Sequence, residues 1–365
     1  MKHRLLLALV VFVLVSLFSI VRVSSIPAAP DVFSAPTVEV SSSTSLRSLG
    51  QKRGIEMGAA VAMPPFYKDA NYRAVLAREF SILAPENAFK FAFIHPERDR
   101  YDFSETDALV AFAKAHNMKV RAHPLVWHDS LPDWLYDNEF TREELLAILK
   151  DHIQTLVSRY RGQIYAWDVV SEAINRDGSL RDTIWLRHIG PEYIDLAFRW
   201  THEADPQARL FYTDYANEER GRKPDAMYEL MASLLQRGIP IHGVGFQSHR
   251  WLDGPPKLDA LLENMTRLKT LGLEVQFTEV DVQIQRGTFG SREERLVAQA
   301  DAYATMLKAC VITKNCTAFV IWGFTDRYSW IAGLTGALDA PLIFDESYRP
   351  KPAYYALQNV LNSEF

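Results

Sequence analysis

Ile164-Tyr165-Ala166-Trp167-Asp168-Val169-Val170-Ser171-Glu172 is a mostly apolar run, interrupted at Asp168, that ends on a carboxylate. Short apolar or β-branched runs of this kind recur along the chain. Working outward from 164–170, the candidate strands are 55–60, 81–84 and 119–123 before it, and 209–212, 243–247, 274–278 and 318–322 after it. Amphipathic helical stretches separate them. Thr141-Arg142-Glu143-Glu144 and Ser291-Arg292-Glu293-Glu294 have the spacing in which a hydroxyl and a carboxylate cap a helix start reciprocally. Eight strands alternating with helices predict a parallel sheet closed into a (β/α)8 barrel. An open doubly wound sheet is the competing architecture, but no GxGxxG turn follows the first strand.

The chain has 365 residues, 48% hydrophobic and 23% charged, which suffices for a large core. No second linker and no 20–50-residue repeat divides it after residue 45, so 46–365 is expected to form one catalytic barrel domain, acting as a monomer. The net charge of −5 and the absence of a basic stripe with interleaved aromatics argue against a nucleic-acid partner. Residues 1–25 begin Met1-Lys2-His3-Arg4, then run apolar from Leu5 to Val21 except for Ser16 and Ser19. This pattern predicts a signal peptide or uncleaved signal anchor, with the body of the protein exported and any membrane contact confined to that anchor. Residues 26–45, rich in Ser, Pro, Ala, Thr and Val, read as a flexible linker. Outside the cytoplasm the two cysteines, Cys310 and Cys316, are expected to form a disulfide. Their spacing does not suit a metal, and no HExxH or Cys/His cluster occurs elsewhere, so neither metal nor organic cofactor is expected.

Barrel enzymes place their chemistry where strands give way to loops. The fourth candidate strand leads to Glu172, and the seventh ends in Thr278-Glu279-Val280-Asp281. Two carboxylates facing each other across a barrel mouth are what glycosidic bond cleavage needs. Either glutamate alone is more often a solvated or ion-paired side chain, and the neighbouring residues raise the functional reading. Gln247 and His249 leave the sixth strand, and His249, oriented by Asp281, is placed to hold Glu279. His123 and Trp127 follow the third strand, while Trp322 and Trp330 belong to the eighth strand and its loop. The flat face of an indole suits a pyranose ring, although tryptophan packed under a loop is an equal reading. Glu86, Asn87 and Lys90 supply polar groups after the second strand.

These segments together resemble glycoside hydrolase family 10, best known for endo-β-1,4-xylanases. The likeness rests on Pro85-Glu86-Asn87-Ala88-Phe89-Lys90, His123-Pro124-Leu125-Val126-Trp127-His128, Trp167 to Glu172, Gly243 to His249, Thr278 to Asp281, Val320-Ile321-Trp322-Gly323 and Trp330. The closing segments Pro341 to Asp345 and Arg349 to Ala353 and the Cys310/Cys316 pair also resemble it, so the likeness spans about residues 46–365. It implies a retaining endo-acting β-glycosidase with a polysaccharide substrate, Glu172 as acid/base and Glu279 as nucleophile. His249 and Asp281 would support Glu279, and Gln247 would hold Glu279 or the sugar near it. His123, Trp127 and Trp322 would surround the sugar under attack, with Glu86, Asn87 and Lys90 on the next one. Retention implies a covalent glycosyl-enzyme intermediate.

The chain departs from the family pattern at Ser171, where the family has Asn, at Thr213 and Ala216 in place of two Asn, at Ser130 in place of Gln, and at Phe91 in place of Trp. Ser171 is the substitution expected to change contact with the sugar being cleaved. Since both glutamates are present, these departures predict an altered β-linked polysaccharide substrate, a xylan-like chain or an exported bacterial exopolysaccharide. The alternative is a catalytically silent glycan-binding barrel, which assays of a Glu279→Ala variant would separate from an enzyme.

Overall fold

In the computed structural model, residues 44–136, 139–285, 290–335 and 339–365 are described. The signal segment at 1–25 and the linker up to residue 43 lie outside them. Ser45, assigned to the linker from sequence, instead caps the first helix, Leu46–Arg53, by accepting from the Ser48 amide.

The apolar runs form eight barrel strands: β1 Glu56–Val61, β2 Ile82–Pro85, β3 Lys119–Ala122, β4 Ala166–Ser171, β5 Arg209–Asp214, β6 Gly243–Phe246, β7 Glu274–Gln283 and β8 Cys316–Ile321. Each pairs in parallel with the next, and β8 pairs with β1, so the sheet closes into a (β/α)8 barrel. Helices fill the connections and cover the outside. Both expected capping boxes are present, on the helices Arg142–Arg159 and Arg292–Thr313. Cys310, in the second of these helices, is disulfide-bonded to Cys316 at the start of β8.

The observed strands match the candidates within one or two residues except at β7, which continues to Gln283. A three-residue strand, His249–Trp251, runs beside Asp281–Gln283 and extends the ladder, so Glu279 lies within β7 instead of past its end. A register shift falls between Phe277 and Val280. Before it, Val275 and Phe277 pack outward against the helices; after it, Val280 and Val282 do. Glu279 is thereby turned to the barrel mouth, as bulges commonly re-aim side chains. β4 has the same device between Asp168 and Val170, just below Glu172.

The barrel interior is polar on one side. Alternate residues of β3 point inward, and Arg121 pairs there with Asp168 of β4, bonds Gln276 of β7 and stacks over the Phe211 ring. Two opposite charges sealed from water need such pairing, because an unpaired one would cost several kcal/mol. Gly245 of β6 must lack a side chain: a Cβ there would sit 2.5 Å from the Thr213 methyl and 2.8 Å from that of Thr278.

Behind the β2 loop, Phe91 stacks near-parallel beside two histidines, with ring centroids 3.7 Å from His152 and 5.2 Å from His95, which lie 5.6 Å from each other. His152 is fully buried, and neither ring nitrogen has a partner among the described residues. Burial therefore holds its pKa well below that of a free imidazole. The folded state keeps His152 neutral, whereas the unfolded chain takes up a proton below about pH 6.5. Its contribution to stability is complete above that pH and lost as the pH falls. His152→Phe keeps a ring beside Phe91 and removes the titration. The stability of the variant relative to wild type should rise by about 1.4 kcal/mol per pH unit below pH 6. Denaturant melts at pH 7, 6 and 5 measure it, and a pH-independent difference would refute the assignment.

Candidate active site

The strand ends and their loops enclose a cleft of about 640 Å³ at the carboxyl-terminal mouth of the barrel. Glu172 and Glu279 both line it, as do Glu86, Asn87, Lys90, His123, Trp127, Gln247, His249, Trp322 and Trp330.

Glu279 is only 4% exposed, at the cleft floor. His249 Nε2 lies 3.3 Å from its Oε2, and His123 Nε2 lies 3.6 Å from its Oε1. A buried aspartate backs each imidazole. Asp281 is 2.7 Å from His249 Nδ1, and Asp168 is 3.0 Å from His123 Nδ1. The Trp330 indole N–H donates to Asp281 at 2.9 Å, so this residue fixes the support of Glu279 besides forming cleft wall. Burial works against an imidazolium at His249, but Asp281 and Glu279 outweigh it and raise its pKa to about 10. Burial likewise pushes the Glu279 carboxyl up, and His123 and His249 more than reverse this, leaving its pKa below the ordinary value. Glu279 is thus an ionised carboxylate with its oxygens toward the cleft, the state a nucleophile requires.

Glu172 follows β4, and its amide still donates to Thr213 of β5 at 2.9 Å. Its backbone then turns into the left-handed region, φ 57°, which ends the strand and directs the side chain across the mouth. Ala216 and Ser248, just past β5 and β6, have φ of 51° and 63°. Such conformations are uncommon for residues other than glycine and cluster at functional sites. Glu218 stabilises the last of them by accepting from the Ser248 amide at 2.9 Å.

Gln247 accepts from the Glu279 amide through its backbone carbonyl at 3.1 Å, while its side chain donates from Nε2 to Glu172 Oε1 at 3.1 Å. It leaves β6, two strands from β4, and its side chain spans that gap. Lys90 donates to Asn87 Oδ1 at 2.8 Å and lies 5.2 Å from the centre of the Trp127 ring. Burial lowers the Lys90 pKa and raises that of Glu86, each opposed by the charge of the other.

Ser171 does not form part of the cleft wall. It is 3% exposed, on the inner face of β4 opposite Thr213, and its hydroxyl has no partner among the described residues. Thr213, Ser130 and Phe91 are also absent from the wall, and Phe91 is buried in the histidine stack. Of the departures from the family pattern, only Ala216 lines the cleft.

Several residues of the site and its support escaped the sequence reading. Asp168 and Arg121 sit inside ordinary strand runs below the cleft, and only an inward-facing charge on a buried strand signals them. Tyr215, Glu218, Arg250 and Trp251 line the cleft. The first two lie on the loop after β5 and the others on the short strand His249–Trp251, where no periodicity marks them.

The model described as Glycosyl hydrolase family 10 matches residues 45–360. Among curated proteins, the chain is 41% identical over 324 residues to endo-1,4-beta-xylanase B of Thermotoga neapolitana, covering 87% of this chain and 92% of that one. It is 40% identical over 313 residues to a beta-1,4-xylanase of Dictyoglomus thermophilum, covering 82% and 87%. Among solved structures, xylanase 10B of Thermotoga petrophila with xylobiose superposes with a TM-score of 0.83 at 44% identity, covering 87% and 97%. Native xylanase 10B of Thermotoga maritima gives 0.84 at 43%, covering 87% and 98%.

Proposed function

The chain belongs to glycosyl hydrolase family 10 and is an O-glycosyl hydrolase, and we propose that it cleaves internal β-1,4 links of a xylan-type chain with retention. The observation that carries this reading is the pair Glu172 and Glu279 in one cleft, held in different ways. Glu279, ionised between two histidines, attacks the anomeric carbon, while Glu172 gives a proton to the departing oxygen. Water then attacks the same carbon as Glu172 takes its proton and Glu279 leaves, so two inversions give net retention. Trp127, Trp322 and Trp330 offer the apolar faces on which sugar rings stack.

A xylan-type chain is favoured over an exopolysaccharide because the relatives are xylanases and, of the departures, only Ala216 is among the residues lining the cleft. Proton NMR during xylo-oligosaccharide hydrolysis should show the β-anomer of the new reducing end first. The α-anomer first would overturn retention. Release of sugar from a bacterial exopolysaccharide and none from xylan would overturn the substrate.

We infer further that the enzyme works outside the cytoplasm. The Cys310–Cys316 disulfide and the positively charged, apolar N-terminal run support this. Alkylation of native exported protein without reductant should label neither thiol, and labelling of both would sink the idea. Replacing both cysteines by serine should cost about 2 kcal/mol, the modest value expected for so short a loop.

A further inference from the structure

We propose that Arg181, which the sequence does not mark, is the positioning residue of Glu172 and holds its carboxylate in place for the second half of the reaction. This rests on the reading of Glu172 as acid/base. The chain after Glu172 folds back on itself: Ile174 bridges Leu180 in antiparallel fashion, and the Arg181 amide donates to the Ala173 carbonyl at 2.7 Å. This return brings the guanidinium beneath the acid/base. Nε donates to the Glu172 carbonyl at 2.8 Å, so one bond secures a peptide whose φ of 57° the chain would otherwise leave. One terminal nitrogen donates to the Tyr215 hydroxyl at 2.9 Å and lies 3.9 Å from Glu172 Oε2. Tyr215 is itself fixed: the Lys223 ammonium sits 3.4 Å from its ring centre, and Lys223 pairs with buried Asp214 at 2.6 Å.

The two carboxyl oxygens of Glu172 therefore face different groups. Oε1 accepts from neutral Gln247; Oε2 faces Arg181 and, at 4.0 Å, His128. Lys90 and Asp214 also act on the Glu172 charge through space. Of these groups, Arg181 alone grips the residue's backbone and faces its carboxylate as well. Its charge matters most once Glu172 has given up its proton. In that step the water oxygen bonds to the anomeric carbon, a water proton passes to the Glu172 carboxylate, and the bond to Glu279 breaks with its electron pair returning to Glu279.

The test uses a dinitrophenyl glycoside of a xylo-oligosaccharide, whose leaving group needs no proton, so the water step limits turnover. Arg181→Met should lower kcat about 10- to 100-fold. KM should fall in proportion as the intermediate accumulates, leaving kcat/KM within about two-fold. Azide, which attacks without surrendering a proton, should restore most of the lost rate. Arg181→Lys keeps the charge without the fork and should fall between the two. A loss in Arg181→Met confined to kcat/KM, or untouched by azide, overturns the proposal, as does an unchanged kcat. If Arg181→Met does not fold, Arg181→Lys carries the same readouts: an unchanged kcat, or a loss without azide rescue, overturns the proposal. Glu172→Ala is the control. If azide fails to rescue it, the acid/base reading itself fails; if azide rescues it and not the Arg181 variants, only the present proposal does.

Discussion

Glu279→Ala should eliminate hydrolysis of polymer and of activated glycosides alike, by on the order of 10⁴-fold or more in kcat. On the proposed double displacement both substrate classes pass through a bond to this carboxylate, so leaving-group quality offers no way around the loss. The fold should survive. Asp281 continues to hold His249 at 2.7 Å, Asp168 continues to hold His123, and the side chain removed lies against the cleft instead of the main core. The near-isosteric Glu279→Gln should be equally inactive, which excludes a cavity as the cause. Circular dichroism and a thermal melt beside the assay decide the matter. Turnover above one-hundredth of wild type in either folded variant would remove Glu279 from the nucleophile's role.

Glu172→Ala should separate substrates instead of abolishing all activity. An unactivated sugar leaving group needs its oxygen protonated, so hydrolysis of xylan should drop about 10²- to 10⁴-fold. A dinitrophenolate leaves unaided, so the first step on that glycoside should slow by less than about ten-fold, and the intermediate should persist. A pre-steady-state burst of dinitrophenol followed by slow turnover is the expected trace. Equal losses on both substrates would show that Glu172 acts by shaping the cleft and not as a proton donor.

The strand runs from 55 to 322, the capping boxes and both carboxylates are features of short segments. Local periodicity and spacing carry them, so the barrel class was legible from the sequence. The jump in alternation at Thr278-Glu279 and at Val169-Val170 was also written there, but only the register shifts of β7 and β4 give it meaning. Burial of Ser171 was not legible, because a one-residue shift in a strand exchanges cleft for interior.

By itself the sequence determined the alternation of strands and helices, the disulfide-forming pair and the presence of two strand-end glutamates with histidine and tryptophan near them. Tertiary structure alone decided which group holds which. Arg121 meets Gln276 across 155 residues, Gln247 meets Glu172 across 75, and His249 meets Glu279 across 30. Strand pairing brings the last pair together, and the curling of the sheet into a barrel brings the other two. Hydrogen bonds and ion pairs act over a few ångströms, and sequence spacing fixes such distances within one element but not between strands on opposite walls of a barrel.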